Sequence, residues 1–233
     1  MTPPVAPAAF SAPPEPAKPG DDARARLLQA GLRLFAQQGY SSTSTRELAE
    51  AASVNVASIS YYFGDKAGLY RAVFIEPMGA PEDDLARFVG PQLTLRQALQ
   101  GFYAGFLEPL KQGDIARQCM KLHFREIVEP TGLWQDDTVY GIKPLHEALL
   151  ALLCRHLGLT EPDTELQRLA LCLAGLGVHM HVGRDINDQL VPGINDGTDA
   201  IDRWSDQLVL FGLAMVCAEA KRRGLPLSER DCA

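Results

Sequence analysis

The sequence predicts an all-α protein with two helical regions. Three observations support this fold class. Apolar residues recur at intervals of three or four, as Leu27, Gly31 and Leu34 do, and no stretch alternates like a half-buried strand. The 233 residues, 46% of them hydrophobic, are enough to bury a core. The helical periodicity breaks at "EPMGAPEDD", where we place the boundary between a first region, residues 21–75, and a second, residues 76–226.

The two ends of the chain are predicted to lie outside the helical regions. Residues 1–20 hold seven of the sixteen prolines and lack the basic start and apolar run of a signal peptide. We expect them to form a disordered tail. Residues 227–233 are expected to be a flexible C-terminus. The sequence contains no run of 18 apolar residues, so no membrane span is predicted.

Charge and cysteine content limit the class of protein. The net charge is −7, but residues 21–75 carry +1 and residues 76–233 carry −8, so the acidity belongs to the second region. A locally positive face in the first region can therefore still attract nucleic acid. The cysteines are odd in number and form no CxxC pair, which indicates free thiols in a reducing cytoplasm. They are Cys119, Cys154, Cys172, Cys217 and Cys232.

The first region opens with two helices whose ends are marked by the sequence. The first is predicted over residues 22–38 and stops at Gly39, which readily adopts the conformation of a helix C-cap. The second begins at "STRE", where Ser44 and Glu47 are spaced as a capping box, and ends near Ala52.

A tight turn, "SVN", separates the second helix from a third. Asn55 is a suitable N-cap for a helix over residues 56–62, and Ile59 is spaced to share an apolar seam with Leu48. Two short helices joined by a three- or four-residue turn over one seam form a helix-turn-helix. A fourth helix is predicted from Lys66.

The outward side of the third helix carries small side chains, hydroxyl groups and two phenols. The first residues of a recognition helix approach base edges, where serine can exchange hydrogen bonds and valine or alanine can touch a thymine methyl. Tyr61 and Tyr62, at the far end, suit phosphate oxygens. Geometry alone leaves one alternative open, a helical hairpin of an unrelated all-α protein with both tyrosines in its core.

Residues 24–74 resemble the DNA-binding domain of the TetR family of transcriptional regulators. The resemblance is carried by "GYSSTSTRELAEAASVNVASISYYFGDKAGLY", with its glycine–aromatic step, "RELAEAA", "YYF" and the K-x-x-L spacing. It implies DNA contacts from eleven positions. They are Ser44, Thr45, Arg46, Asn55, Val56, Ala57, Ser58, Ser60, Tyr61, Tyr62 and Lys66.

Three positions depart from the family pattern. Ser60 stands where the family usually has tyrosine, which shortens a common contact. Ser53 replaces the glycine usual in the turn, so we expect slight strain there. The break after Phe74 replaces the longer fourth helix of the family and changes how a ligand signal would travel along it.

The second region resembles the ligand-binding domain of the CecR-type subgroup over about residues 115–220. "REIVEPT" and the "P-x-HEALL" stretch carry this resemblance. Helices are predicted over 83–89, 94–109, 115–128, 141–157, 161–181 and 198–223. Effector sites in helical bundles lie between helices and are mostly apolar. The candidates for an effector pocket, each of which could instead be ordinary core, are Phe102, Phe106, Met120, His123, Phe124, Trp134, Tyr140, His146 and His179.

The last two long helices are predicted to form the dimer interface, with completion of the monomer core as the alternative. Small residues allow close helix approach and larger apolar ones supply contact area. The candidates are Ala170, Leu173, Ala174, Gly177, Leu208, Phe211 and Met215.

No metal site, cofactor or catalytic group is predicted. His179 and His181 are two residues apart and would face different directions on a helix, which makes a poor chelate. Glu126 and Glu129 are spaced as on a solvated helix face rather than as catalytic carboxylates.

The sequence therefore predicts a cytoplasmic, homodimeric DNA-binding regulator that is not an enzyme. We expect a repressor that a small-molecule effector releases from a palindromic double-stranded DNA operator, although activation would leave the same sequence. The alternatives are a DNA-binding dimer without an effector and a helical enzyme that carries a helix-turn-helix. Neither a nucleophile–base pair nor a phosphate-binding loop supports the enzyme.

Overall fold

The computed structural model describes residues 19–76, 81–111, 113–133 and 139–226, and all regular structure in these ranges is helical. The eleven helices within them are α1 (Pro19–Gln38), α2 (Thr45–Ala51), α3 (Ala57–Phe63), α4 (Lys66–Ile75), α5 (Pro81–Phe88), α6 (Leu95–Lys111), α7 (Asp114–Val128), α8 (Val139–Leu157), α9 (Thr164–Val182), α10 (Arg184–Leu190) and α11 (Ala200–Arg223). The all-α prediction is confirmed. Of the predicted tail only Pro19 and Gly20, which begin α1, are described, and residues 227–233 lie outside the described ranges.

Ten of the helices lie within a few residues of their predicted bounds, but α10 was missed. It follows α9 directly after Gly183 and is only seven residues long. Its two large apolar side chains, Ile186 and Leu190, are exposed. Because no buried stripe runs along it, the spacing of apolar residues gave no signal for a separate helix.

Helices α1 to α4 pack around one apolar core. The Phe35 ring meets the Tyr70 ring edge-on, with ring centroids 5.0 Å apart. Gly31 lets α1 approach α4, since a Cβ at this position would lie 2.9 Å from Cγ2 of Val73. At the far ends of the same two helices, Nη1 of Arg24 donates to Oε2 of Glu76 at 3.0 Å. These contacts hold α1 against α4 along their length.

Helices α5, α6, α8, α9 and α11 surround a second and larger core, to which α6 is central. Gly101 of α6 lies directly against the backbone of α5, because a Cβ there would come within 2.1 Å of the Arg87 carbonyl oxygen. On another side of α6, Tyr103 lies against Gly212 of α11 and donates from its hydroxyl to the Leu173 carbonyl of α9 at 3.3 Å.

Helix α7 belongs to both halves of the molecule. It packs on α1 and α4, and also on α6 and α9. Cys119 and Leu122 are buried in the core of the first four helices. Phe124 lies on the other side, where its ring is 5.0 Å from the ring of His181 on α9. Helix α7 therefore connects the core of the first four helices with α9.

Within the described ranges no helix is long and apolar enough to cross a membrane.

The cysteines differ in state. Cys119 and Cys154 are buried free thiols and Cys172 is an exposed one, whereas Cys217 is disulfide-bonded. The expectation of free thiols is thus wrong at Cys217, because distances along the sequence do not show which cysteines lie close in space.

Candidate DNA-binding and effector sites

The start of α2 is fixed by the predicted capping box. The Glu47 N–H donates to Oγ of Ser44 at 3.1 Å, and the Ser44 N–H donates to Oε2 of Glu47 at 2.8 Å. The hydrogen bond from the Ser44 backbone is the main cause that lowers the pKa of the Glu47 carboxyl. The box leaves Thr45 and Arg46 exposed in the first turn of α2.

The turn between α2 and α3 is held by backbone hydrogen bonds around a strained residue. The Val54 N–H donates to the Ala49 carbonyl at 2.9 Å. Ser53 has φ of 53°, in the left-handed region that disfavours a residue with a Cβ. This agrees with the strain expected from the loss of the usual glycine.

The predicted N-cap of α3 is displaced by one residue. Val56 precedes the first helical residue, Ala57. Oδ1 of Asn55 still accepts from the Ala57 N–H at 2.9 Å and so satisfies one of the free donors at the helix start. The correction is small, since Asn55 binds the helix terminus from one position further out.

Eight of the eleven predicted DNA contacts are exposed on one continuous part of the chain: Ser44, Thr45, Arg46, Asn55, Val56, Ala57, Ser60 and Tyr61. Ile59 faces inward and is buried, as the predicted seam requires. Tyr61 is 82% exposed, and its ring meets the Tyr62 ring edge-on at 4.8 Å. Ser58 and Tyr62 are half-buried, and Tyr62 packs against the core.

Lys66 does not point outward as a phosphate contact would. Its Nζ donates to the Tyr40 carbonyl at 2.8 Å and to the Thr43 carbonyl at 2.7 Å. It also lies 4.2 Å from the centroid of the Tyr40 ring. The side chain is half-buried, and this burial lowers the pKa of the ammonium. The DNA contact of Lys66 stays a prediction, and in this structure its ammonium is directed at the loop.

Part of the predicted effector pocket comes together between α6, α7 and α9. The Phe102 and Phe106 rings of α6 meet edge-on, 5.4 Å apart. Phe106 also lies against Gly177 of α9, where a Cβ would be 2.6 Å from the ring. Phe124 of α7 faces His181 of α9. Met120 is buried on α7 as well.

His181 belongs to this aromatic group and was missed by the sequence analysis. Its Nε2 is 2.7 Å from the Phe106 carbonyl oxygen, and burial lowers the pKa of its imidazole. A neutral ring donating from Nε2 fits both facts. The available signal was its spacing, four residues after Gly177 and eight after Leu173, on the buried face of α9.

The other predicted pocket residues are dispersed. The His123 ring stacks on Phe74 of α4 with centroids 3.6 Å apart, in the contact between the two halves. Nε2 of His146 is 2.7 Å from Oε1 of Gln167, between α8 and α9. His179 is exposed beside Asn187 of α10. Trp134 lies outside the described residues, as does the side chain of Tyr140.

A buried polar network joins α4 to the end of α7. Glu126 is only 2% exposed. Its Oε2 accepts from the Tyr70 hydroxyl at 2.6 Å, and its Oε1 accepts from the N–H and the hydroxyl of Thr131, each at 2.8 Å. Burial, and then the Glu126 carboxylate, raise the pKa of the Tyr70 phenol. The prediction of a solvated face is therefore wrong for Glu126, because α7 turns this residue toward α4.

The network borders a cavity of about 230 Å³ between the two halves. Its lining residues come from the end of α1 and the following loop, from α4, and from the end of α7 with its loop. They are Gln38, Gly39, Tyr40, Ser41, Ser42, Tyr70, Arg125, Glu129, Pro130 and Thr131. The "EPT" stretch of the sequence thus forms one wall of an interdomain cleft.

The predicted dimer residues divide into interior and surface positions. Ala170, Leu173, Gly177 and Leu208 are buried within one protomer, so the assignment to the interface is corrected for them. Their small or apolar side chains instead fill the packing between α9, α6 and α11. Ala174 and Met215 are half-buried, and Phe211 is 46% exposed.

The exposed side of α9 and α11 carries an apolar set that shares only Phe211 with the predicted list. It consists of Leu171, Gly175 and Val182 on α9, and Leu210, Phe211 and Ala214 on α11. We call these six residues the α9/α11 face. Apart from Phe211 and Val182, each member of the face stands one position along the chain from a residue predicted from the sequence.

The fold and the exposed helix-turn-helix define the class of this protein as a DNA-binding transcriptional regulator. Two family models support this class: "Bacterial regulatory proteins, tetR family" matches residues 27–73, and "HTH-type transcriptional dual regulator CecR, C-terminal domain" matches residues 95–215. The chain belongs to the TetR family and has a CecR-type C-terminal domain. Regulators of this family bind DNA operators and act as dimers, and the relatives and fold neighbours of the chain are transcriptional regulators rather than enzymes.

Individual relatives agree with this assignment. The chain is 29% identical over 177 residues to the HTH-type transcriptional dual regulator CecR of Shigella flexneri, covering 71% of this chain and 78% of the relative. It is 40% identical over 105 residues to the probable HTH-type transcriptional regulator YttP of Bacillus subtilis (strain 168), covering 44% and 49%.

Solved structures share the fold. The hemolysin II transcriptional regulator HlyIIR superposes with a TM-score of 0.57 at 21% identity, over 82% of this chain and 98% of the other. A tetR-family transcriptional regulator from Streptomyces coelicolor gives a TM-score of 0.56 at 20% identity, over 87% and 83%.

Proposed function

We propose that this regulator is a repressor that binds a palindromic operator as a homodimer and releases it when a small, largely apolar effector binds between α6, α7 and α9. One observation carries the proposal: α7 contributes to the aromatic group on one side and to the DNA-binding core on the other. A ligand that displaced α7 would shift the helices that present the recognition helix.

Three contacts couple α7 to the DNA-binding unit. Glu126 accepts from Tyr70, His123 stacks on Phe74, and Nη1 of Arg125 donates to the Gln37 carbonyl at 3.3 Å. The first two reach α4 and the third reaches the end of α1. Allosteric coupling of this kind amounts to about 1–3 kcal/mol, or roughly 5- to 150-fold in affinity.

We assign the DNA contacts to the exposed residues of α2 and α3. Arg46 supplies a cation for a guanine edge or a phosphate, and Val56 and Ala57 are small enough to touch thymine methyl groups. The exposed Tyr61 hydroxyl suits a phosphate at the rim of the groove. A symmetric dimer presents this surface twice, which favours a palindromic site with half-sites about one or more helical turns apart. Because its target is chromosomal DNA, we assign the protein to the cytoplasm.

The proposed effector site is supported by the chemistry of the side chains that pack between these helices. Phe102, Phe106 and Phe124 offer ring faces and edges, and His181 offers one polar edge. Such a lining favours a ligand with flat apolar surface and few polar groups. A hydrogen-bond acceptor on the ligand could compete with the Phe106 carbonyl for the His181 N–H.

The α9/α11 face supplies the proposed dimer contact. Phe211 is its largest side chain, and Gly175 lets the α9 helices of two subunits approach closely. Pairing the same face on both subunits gives an isologous interface, which closes the assembly at two copies.

The experiment that tests the proposal is a selection from randomised duplexes, sequenced at two salt concentrations, with an Arg46→Ala, Tyr61→Ala double variant as control. A palindromic motif that survives moderate salt and is lost in the control supports the repressor. Motif-free binding that vanishes with salt reflects phosphate attraction alone and contradicts operator reading.

The effector is tested with the selected duplex and a panel of planar aromatic compounds. Compounds that release wild-type protein but not Phe106→Ala, at equal starting affinity, support the site between α6, α7 and α9. His146→Ala serves as the matched control, because His146 pairs with Gln167 away from the aromatic group. Release that survives both substitutions would place the effector elsewhere, and no release by any compound would favour a dimer without this effector class.

A further inference from the structure

The Lys66 ammonium lies inside the loop that precedes α2. Nζ donates to the carbonyls of Tyr40 and Thr43, and the Tyr40 ring lies beside it at 4.2 Å. Thr43 is itself buried, and its hydroxyl donates to the Gly39 carbonyl at 2.7 Å. The loop from Gly39 to Thr43 is therefore closed around a cation that comes from the first residue of α4.

Most of the hydrogen-bonding capacity of this cation is used within the protein. An ammonium has three N–H donors, and two of them point to backbone carbonyls of the loop. The aromatic ring adds a cation–π contact on a further side. A phosphate oxygen would have to compete with these partners, whereas Arg46 is exposed and can reach DNA without breaking an internal contact.

The loop that Lys66 closes ends at the N-cap of α2. Ser44 follows Thr43 directly and fixes the first turn of α2, which carries Thr45 and Arg46. Tyr40 is in turn packed on the Phe35 and Tyr70 rings, with centroids 6.0 Å and 5.1 Å away. A displaced loop would consequently move the start of α2 relative to α1 and α4.

We propose that Lys66 is a positioning residue for operator recognition: its ammonium sets the loop at Tyr40–Thr43, and through the loop the direction of α2, rather than neutralising a phosphate. This role differs from that of a contact residue in what it does to DNA binding. A lost phosphate contact weakens specific and non-specific binding alike, whereas a misplaced α2 weakens mainly the binding of the selected site. The inference rests only on DNA binding and not on any effector.

The test uses Lys66→Met in the full chain, which retains a long apolar side chain but removes all three donors. The probes are the duplex selected by the wild-type protein and a scrambled duplex of equal length, each measured over a series of salt concentrations. We expect affinity for the selected duplex to fall about tenfold, the size of one lost hydrogen-bonded contact. Affinity for the scrambled duplex and the salt slope should stay unchanged.

Lys66→Arg and Arg46→Met are the matched controls. Lys66→Arg keeps donors for the loop carbonyls, so it should retain most of the affinity for the selected duplex. Arg46→Met removes an exposed cation from the same surface and should weaken both duplexes. If Lys66→Met instead lowers the salt slope by about 1.8, the value for two phosphate contacts in a dimer, Lys66 contacts DNA and the proposal is wrong.

Two further results would also overturn it. Lys66→Met protein that melts earlier but, well below its melting temperature, binds the selected duplex like wild type would show a purely stabilising role. If Lys66→Met does not fold, reductive methylation of the wild-type protein decides. Lys66 should resist methylation both free and DNA-bound, and an ammonium that is methylated in free protein but protected by DNA would identify a phosphate contact.

Discussion

The Tyr70 hydroxyl donates a 2.6 Å hydrogen bond to Oε2 of Glu126 and thereby joins α4, in the first half of the molecule, to α7. The carboxylate is buried, and Tyr70 and Thr131, which donate to it, are neutral donors. Burying a carboxylate is costly unless its hydrogen-bond donors remain in contact with it. The Tyr70–Glu126 hydrogen bond therefore favours one position of α4 relative to α7.

Removing the Tyr70 hydroxyl should destabilise the fold and change the coupling between the two halves. In Tyr70→Phe one oxygen of a buried carboxylate loses its donor, which costs about 1–3 kcal/mol of unfolding free energy. Urea unfolding measures this cost. Tyr103→Phe is the control. It removes a hydrogen bond to the Leu173 carbonyl, which lies within the hydrogen-bonded backbone of α9, so the loss of unfolding free energy should be far smaller. Equal costs for both variants would contradict a special role for the pair.

Replacing Ser53 by glycine should stabilise the protein. Ser53 has φ of 53°, where a Cβ costs roughly 1–2 kcal/mol, and the larger entropy of unfolded glycine offsets part of the gain. We expect Ser53→Gly to raise the unfolding free energy by about 0.5–1 kcal/mol, measured by urea unfolding. Ser60→Gly, in the exposed interior of α3, should instead lower it by about 0.5 kcal/mol. A loss at Ser53 as well would show that the turn is not strained.

Acid should weaken the ion cluster at the end of α11. Hydrogen bonds from Arg222, and then Arg223, lower the pKa of the Glu219 carboxyl to about 2 from an ordinary 4.5. Since the folded pKa is the lower one, this stabilisation is complete above pH 4.5 and is lost as the pH falls toward 2. The Glu219 side chain is 14% exposed, so the contribution is about 1 kcal/mol after solvent screening.

Unfolding free energies of wild type and Glu219→Gln at pH 7 and pH 3 measure that contribution. The gap between the two proteins should narrow at pH 3. Glu165→Gln is the control, since Glu165 pairs with Arg168 on the exposed side of α9 and should show a smaller change. A gap that is the same at both pH values would mean that the Glu219 carboxyl has the same pKa in the folded and the unfolded protein.

Arg46→Ala should weaken binding to the selected duplex by roughly 10- to 100-fold without loss of fold, because a bidentate contact to a base edge is worth about 1–3 kcal/mol. Fluorescence anisotropy gives the affinity and circular dichroism the fold. Arg168→Ala, exposed on α9, is the matched control and should bind DNA like wild type. Unchanged affinity in Arg46→Ala would remove this residue from the DNA contacts.

Phe211→Glu should dissociate the dimer, because it buries a charge at the centre of the α9/α11 face. Sedimentation velocity should show a monomer at micromolar concentration, with operator affinity reduced as well. Val89→Glu introduces the same charge at an exposed position after α5 and should remain dimeric. A dimeric Phe211→Glu would show that the interface lies on another surface.

Local signals were sufficient for most of the helices, including the two of the helix-turn-helix. The capping box at Ser44 and Glu47, the C-cap at Gly39 and the seam through Leu48 and Ile59 each depend on residues close in sequence. For α10 no such signal exists, since its apolar side chains face outward.

The direction of long side chains was beyond the reach of the sequence. Lys66 carries the charge of a phosphate-binding residue, yet its ammonium points into the loop before α2, because it donates hydrogen bonds to two backbone carbonyls of that loop. His123 and Phe124 are neighbours in sequence, but one stacks on α4 and the other faces α9. The family resemblance suggested a role for each of these residues, but it did not show which side chains or helices each one contacts.

By itself the sequence determined the all-α fold, the helix-turn-helix and the membership of a regulator family, because caps, apolar spacing and short motifs act over a few residues. Only the tertiary structure decided that Glu126 is buried against Tyr70, that Lys66 faces inward, and which sides of α9 and α11 remain exposed. These facts depend on how distant helices pack, and a helix carries the same local pattern whichever neighbour covers it.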